Sequence, residues 1–267
     1  MLDAQTQMAV AYEQHLVPHV FEPWAHLLVD RLALEAGWTL VDVATGPGTI
    51  ARLASIRLGG RGRVIATDIS RTMLMLAQQR TGLPGVAQID YAEGPASPLP
   101  VPDGVADLVV CQQGLQFFPD KPAALREMRR VLKPRGRIGV SVWAELATSN
   151  IASAVHAALK DSAPQPLAEA WKTSFTGPTP AELRELAEGA RFVDVSVERM
   201  SAPVVFEGGT EQVLAALWGT PLAPGMAELG KRELFALQEA VRKKLGPLIK
   251  GQAVEGKLVA HLLLARR

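Results

Sequence analysis

Val41-Asp42-Val43-Ala44-Thr45-Gly46-Pro47-Gly48-Thr49-Ile50-Ala51 decides how the rest of the chain is read. An apolar strand runs into a glycine turn, and a helix follows from Thr49. Gly46 and Gly48 carry no Cβ, so the backbone turns tightly there and a ligand can approach it closely. The spacing satisfies G-x-G-x-x-[GA], with Ala51 in the last place. By itself this is a weak signal, because a plain strand-to-helix turn also produces it.

Working outward, short apolar runs alternate with amphipathic stretches through the first half, the pattern of βαβ units around a parallel sheet. Strands are expected at Leu40–Ala44, Val64–Asp68, Gln88–Ala92, Asp107–Cys111 and Arg137–Trp143. Gly59-Gly60-Arg61-Gly62 punctuates the chain before the second of these. Over Pro122–Leu132 the residues Leu125, Met128 and Leu132 share one helical face, and Pro134-Arg135-Gly136 stops that helix. Phe192–Glu198 alternates cleanly and Lys257–Leu264 is a long apolar run, so two late strands are expected, the last antiparallel. The fold class is therefore α/β, a Rossmann-like, mostly parallel sheet of about seven strands with helices on both faces and inserted cap segments. Expected divisions are an N-terminal helical arm (1–39), a ligand-binding core (40–144), a cap segment and helix (145–190), and final strands (191–267). The last division carries a helical insertion at 205–252, with Leu234, Leu237, Val241 and Leu245 at helical spacing.

Two acids sharpen the reading of the loop. Asp68 closes the second strand, where an acidic side chain accepts the ribose hydroxyls of an adenosine. Asp42 lies inside the first strand, just before the glycines. A nicotinamide dinucleotide would bring its pyrophosphate against the loop, and a carboxylate there repels it. S-adenosylmethionine carries a sulfonium and an ammonium and no phosphate, so the same carboxylate attracts it or orders the loop. The charges favour the sulfonium cofactor. An NAD(P)-dependent oxidoreductase, and a cofactor-binding protein with a non-methylating or regulatory role, stay open on the residues alone.

Asp42-Val43-Ala44-Thr45-Gly46-Pro47-Gly48 resembles motif I of the class I S-adenosylmethionine-dependent methyltransferases. Asp68-Ile69-Ser70 with Met73-Leu74 resembles the D-x-S-x-x-M-L that follows it. Leu99-Pro100-Val101-Pro102-Asp103 with Asp107-Leu108-Val109 is similar to L-P-F-x-D-x-x-F-D-x-V, and Glu127 to Gly136 to E-x-x-R-V-L-K-P-G-G. Together these cover roughly Leu40 to Trp143 and are nearest the branch of ubiquinone/menaquinone C-methyltransferases and small-molecule methyltransferases. The resemblance implies S-adenosyl-L-methionine as cofactor. It implies Asp42, Ala44, Gly46, Pro47 and Gly48 around the methionine part, Asp68 on the ribose, and Ile69 and Met73 near adenine. Gly94 and Ala96 belong to the adenine end, and Cys111 and Gln112 are expected to face the methionine portion. The family usually has aspartate where Pro95 stands here, so the adenine amino group is read by another group or not at all.

Composition narrows the partners. With 28 Lys and Arg against 27 Asp and Glu the net charge is +1, and only 5% of residues are aromatic. No global field and no stacking surface for nucleic acid follow from this. The single cysteine excludes an intramolecular disulfide and a cysteine-built metal centre. No run approaches the roughly 18 apolar residues of a membrane span, and Met1–Val10 lacks a secretory pattern. A cytoplasmic protein without membrane insertion is expected. No metal site is expected either: His15 and His19 are spaced as helical ligands, but Pro18 intervenes and no acidic cluster surrounds them. Gln112, Gln113 and Gln116 crowd the exit of the fourth strand as candidates to orient cofactor or acceptor, while Cys111 is a packing residue. No catalytic base stands out. The expected reaction is methyl transfer to a small, largely apolar acceptor, chosen by Tyr12–Trp24, Thr148–Phe175 and Val205–Gln252. The later segments would equally suit a homodimer interface.

Overall fold

The five apolar runs of the first half become the parallel strands of one sheet. The computed structural model describes residues 4–80 and 84–267, so the first three residues of the expected arm lie outside it. Strand β1 is Thr39–Val43, β2 Arg63–Asp68, β3 Gln88–Glu93, β4 Ala106–Gln112 and β5 Leu132–Trp143. The late strands are β6 (Val193–Phe206), a short β7 (Ile249–Lys250) and β8 (Ala253–Arg266). The sheet order is β3-β2-β1-β4-β5-β8-β6, with β7 paired to β8. β1 lies parallel to both β2 and β4, and β2–β3 and β4–β5 are parallel too. β8 runs antiparallel, as expected from its terminal place.

Boundaries differ from the expectations where turns intervene. Pro134-Arg135-Gly136 does not precede β5 but sits within its span. Ala106 pairs with Leu132 and Leu108 already pairs with Arg137, so the extra residues bulge out, with Arg135 at a φ of 66°. β8 starts earlier than the apolar run because Gly251 (φ 61°) and Gln252 close a tight hairpin from Lys250 to Ala253.

The helices are α1 (Ala4–Ala11), a wide π-type segment Tyr12–Phe21, α2 (Glu22–Leu32), α3 (Thr49–Leu58), α4 (Arg71–Gln78) and α5 (Lys121–Val131). After β5 come α6 (Asn150–Ser162), α7 (Gln165–Thr173), α8 (Pro180–Gly189), α9 (Gly209–Leu217), α10 (Ala223–Ala227) and α11 (Lys231–Leu245).

The chain divides into two compact units. One consists of 22–142, 178–199 and 261–267, and holds the first five strands to Val142 with the adjoining parts of β6 and β8. Its core gathers Val41, Val43, Val109, Leu125, Met128, Ile138 and Val140 with Leu183 and Ala187 of α8. α2 lies on the other face, where a Cβ added to Gly139 would stand 2.4 Å from Leu32. The other unit consists of 1–21, 143–177 and 200–260. There α6 packs on α11, which buries Leu237, Val241 and Leu245, and an aromatic run links Tyr12, Phe21, Trp143, Phe175 and Trp171. Among the described residues no helix is long and apolar enough to cross a membrane.

Candidate functional site

The glycine loop leaves β1 through a series of left-handed residues. Ala44, Gly46 and Gly48 have φ of 57°, 56° and 81°. Thr45 N–H donates to the Thr67 carbonyl of β2 at 2.9 Å, and Gly48 N–H closes a turn on the Thr45 carbonyl at 3.0 Å. The Arg52 guanidinium, one turn into α3, donates to the Pro47 carbonyl. Gly48 is selected by both conformation and space, since a Cβ there would lie 3.1 Å from Ala77 Cβ. Around Gly46 nothing lies within 4 Å of an added Cβ. Its glycine serves the turn, and the open side admits a ligand.

Beneath and beside this loop stand the two acids. Asp42 is fully buried; Thr45 Oγ1 donates to its Oδ2, and Oδ1 has no hydrogen-bond partner among the described residues. Burial pushes this carboxyl up to about 7; the Thr45 hydroxyl and the Ala51 backbone N–H oppose the rise, and the nearby Asp68 charge adds to it. Asp68 accepts the Gly46 N–H through Oδ2 and the Ser70 N–H through Oδ1, each at 2.8 Å. Burial raises it too, against those same N–H groups. Each Asp68 oxygen keeps a lone pair for a hydroxyl donor. Among the described residues neither acid is in an ion pair, so the negative charge each carries when ionised is uncompensated at the loop. That is a setting for a cation.

The other expected residues fall around this centre. Ser70 caps α4 by accepting from Met73 N–H, leaving Ile69 74% exposed as an apolar ledge and Met73 in the first turn. Gly94 N–H donates to the Asp68 carbonyl at 3.0 Å, and its lack of a Cβ admits Pro100. Ala96 packs against the core. Gln112 ends β4 opposite Ser141 of β5. The Cys111 thiol lies in the apolar core, where burial pushes it up to about 12. Its packing role is as expected.

The structural roles of several contributors were not read from the sequence. Thr45 and Arg52 hold the loop, and Ser70 had a signal in its place directly before a helix. Gly114 had none: a Cβ there would stand 2.9 Å from both Ala44 Cβ and Cys111 Sγ. His19 contacts Gln212, with ring nitrogen and amide nitrogen 2.7 Å apart, and no cluster that would hold a metal occurs among the described residues.

This arrangement defines a class, and comparison agrees. Residues 41–140 match the methyltransferase-domain family. That stretch is similar to class I S-adenosylmethionine-dependent methyltransferase domains. Over 116 residues it is 35% identical to a ubiquinone/menaquinone biosynthesis C-methyltransferase of Enterobacter sp. (strain 638), covering 43% of this chain and 46% of that protein. The counterpart from Escherichia coli K12 is 34% identical over the same length. The chain thus spans just under half the length of the curated relatives it matches. Among solved structures it resembles YcgJ of Bacillus subtilis, with a TM-score of 0.59, 19% identity, and coverage of 91% of this chain and 97% of that one. It also resembles a Haemonchus contortus phosphoethanolamine N-methyltransferase 2, with a TM-score of 0.61, 17% identity, and coverage of 97% and 56%. At such identities the structural likeness shows the fold.

Proposed function

We propose that the chain transfers the methyl group of S-adenosylmethionine to a small, largely apolar acceptor. The observation that carries this reading is the pair of acids around an open glycine loop, neither of them in an ion pair among the described residues. When bound, the cofactor supplies an electrophilic methyl on a cationic sulfonium. Asp68 takes the ribose hydroxyls with its remaining lone pairs, and Asp42 lends negative potential to the cationic end. The open backbone at Gly46 would adjoin the methionine part, and Ile69, Met73, Gly94 and Ala96 would border adenine. Positioning then does most of the work, since the acceptor atom must come within about 3 to 3.5 Å of the methyl.

The acceptor's apolar character is supported by the second unit's own composition. Tyr12 stacks on Phe21 at 4.7 Å between centroids, and the series continues through Trp143, the last residue of β5, to Phe175 at 6.4 Å. Loops beyond the carboxyl ends of the strands carry function in open α/β sheets, so acceptor choice is assigned to Tyr12–Trp24, Thr148–Phe175 and Val205–Gln252.

The test incubates the protein with S-adenosylmethionine and small-molecule extracts. S-adenosylhomocysteine should accumulate only when extract is present. Asp68→Ala should lose about 1.5–3 kcal/mol of cofactor affinity, the scale of hydrogen bonds to a charged group. Cofactor binding without product in any extract would make this a binding module, and an NADH complex in place of both would make it an oxidoreductase.

A further inference from the structure

The exit of β4 carries a buried polar side chain that the cofactor reading does not use. Gln113 follows β4 directly in a left-handed conformation, φ 55°, held by its N–H on the Ser141 carbonyl at 2.9 Å. Its side chain is buried, and neither its Oε1 nor its Nε2 has a hydrogen-bond partner among the described residues. Ser141, opposite Gln112 on β5, is buried as well, with an unpartnered hydroxyl. Buried carboxamides are nearly always satisfied, and left-handed backbone is uncommon for a side chain of this kind. Two such departures at one residue, at the exit of a strand, mark a position shaped for a ligand.

Strand order indicates which ligand. Across β3-β2-β1-β4-β5 the ribose acid closes β2, and the methionine loop leaves β1. A cofactor held by those two groups would turn its methyl end toward the β4–β5 side, where Gln113 directly follows β4 and Ser141 lies two residues before the end of β5. A carboxamide and a hydroxyl are neutral, and each both donates and accepts. They complement a neutral hydroxyl better than a carboxylate or an ammonium.

We infer that Gln113, with Ser141, binds a hydroxyl of the acceptor at or beside the atom that receives the methyl group. The acceptor class is then a hydroxyl-bearing, otherwise apolar small molecule. This rests on the methyltransferase reading of the site.

The test uses phenol and toluene, which share a shape and differ in the hydroxyl, as probes of protein saturated with S-adenosylhomocysteine. Ligand-observed NMR should show wild type preferring phenol by about fivefold, the worth of one net hydrogen bond. Q113L should level or reverse that preference while S-adenosylhomocysteine affinity stays within about twofold, as for uncoupled sites. Q113N tolerates the left-handed backbone and withdraws the amide, so it too should lose the preference even if Q113L folds poorly. A preference unchanged in both variants, or absent from wild type, overturns the inference. So does a fall in cofactor affinity with the preference intact, which would assign Gln113 to the cofactor. Failure of wild type to bind S-adenosylhomocysteine at all would instead overturn the functional reading beneath it.

Discussion

The role proposed for Asp42 sets binding against stability at a single residue. Its carboxyl is raised from 3.8 to about 7, mainly by burial. A raised value means the folded state holds the proton more tightly than the unfolded chain. This contribution to stability is therefore full below the ordinary carboxylate value and is lost as pH climbs toward 7, at up to about 1.4 kcal/mol per pH unit. Asp42→Asn keeps an oxygen for Thr45 and removes the titration. The variant should be more stable than wild type at pH 8, with a flatter dependence between pH 4 and 7 in chemical denaturation. The opposite holds for ligand: a cation gains only from the ionised form, so wild-type affinity for S-adenosylmethionine should rise from pH 6 to pH 8. Calorimetric titration of the Asn variant should find weaker binding without that rise. Equal pH slopes in the two proteins would remove Asp42 from the cationic end. The acid was visible in the sequence, whereas its full burial and orphan oxygen are products of packing.

At the scale of elements, α8 separates fold from site. Thr179 accepts from Glu182 N–H while the Glu182 carboxylate accepts from Thr179 N–H, a reciprocal cap, and Leu183 and Ala187 enter the sheet's core. Thr179→Ala should cost about 1 kcal/mol, and Leu183→Ala about 2–5 kcal/mol through the cavity it leaves. Among the described residues neither side chain is hydrogen-bonded to the loop or its acids, so S-adenosylhomocysteine affinity should hold in both variants; a parallel loss would tie α8 to the site. Strands of the first half were legible because each is a short apolar run bounded by turn residues. β6 was legible only in part. Its alternation is clear over Phe192–Glu198, but the strand continues to Phe206 through Met200 and Pro203, which carry no such pattern. There the buried residues Ala202, Val204 and Phe206 decide, and their burial depends on partners distant in sequence.

For the whole molecule, the site residues all belong to the sheet unit while the long late segments belong to the other. A ligand held by the folded sheet unit alone stabilises it by mass action, about 2.7 kcal/mol at one hundred times its dissociation constant. For a chain of this size that corresponds to a rise of roughly 5–10 °C in melting temperature. S-adenosylhomocysteine should produce this shift in a calorimetric scan, in the transition that melts the sheet unit, and NAD should not. A shift with NAD alone would reverse the cofactor assignment.

The amino-acid sequence by itself determined the glycine turn, both acids, the five parallel strands and the cofactor class. Each of these is written within a few consecutive residues, where local sterics and charge act. Only the tertiary structure decided that Cys111 is buried in the core, that Gly114 must lack a side chain to pass Ala44, and that the Gln113 carboxamide is buried without a hydrogen-bond partner among the described residues. It alone placed α8 in the sheet's core. Those outcomes depend on which surfaces meet across long stretches of chain, and no local pattern records that.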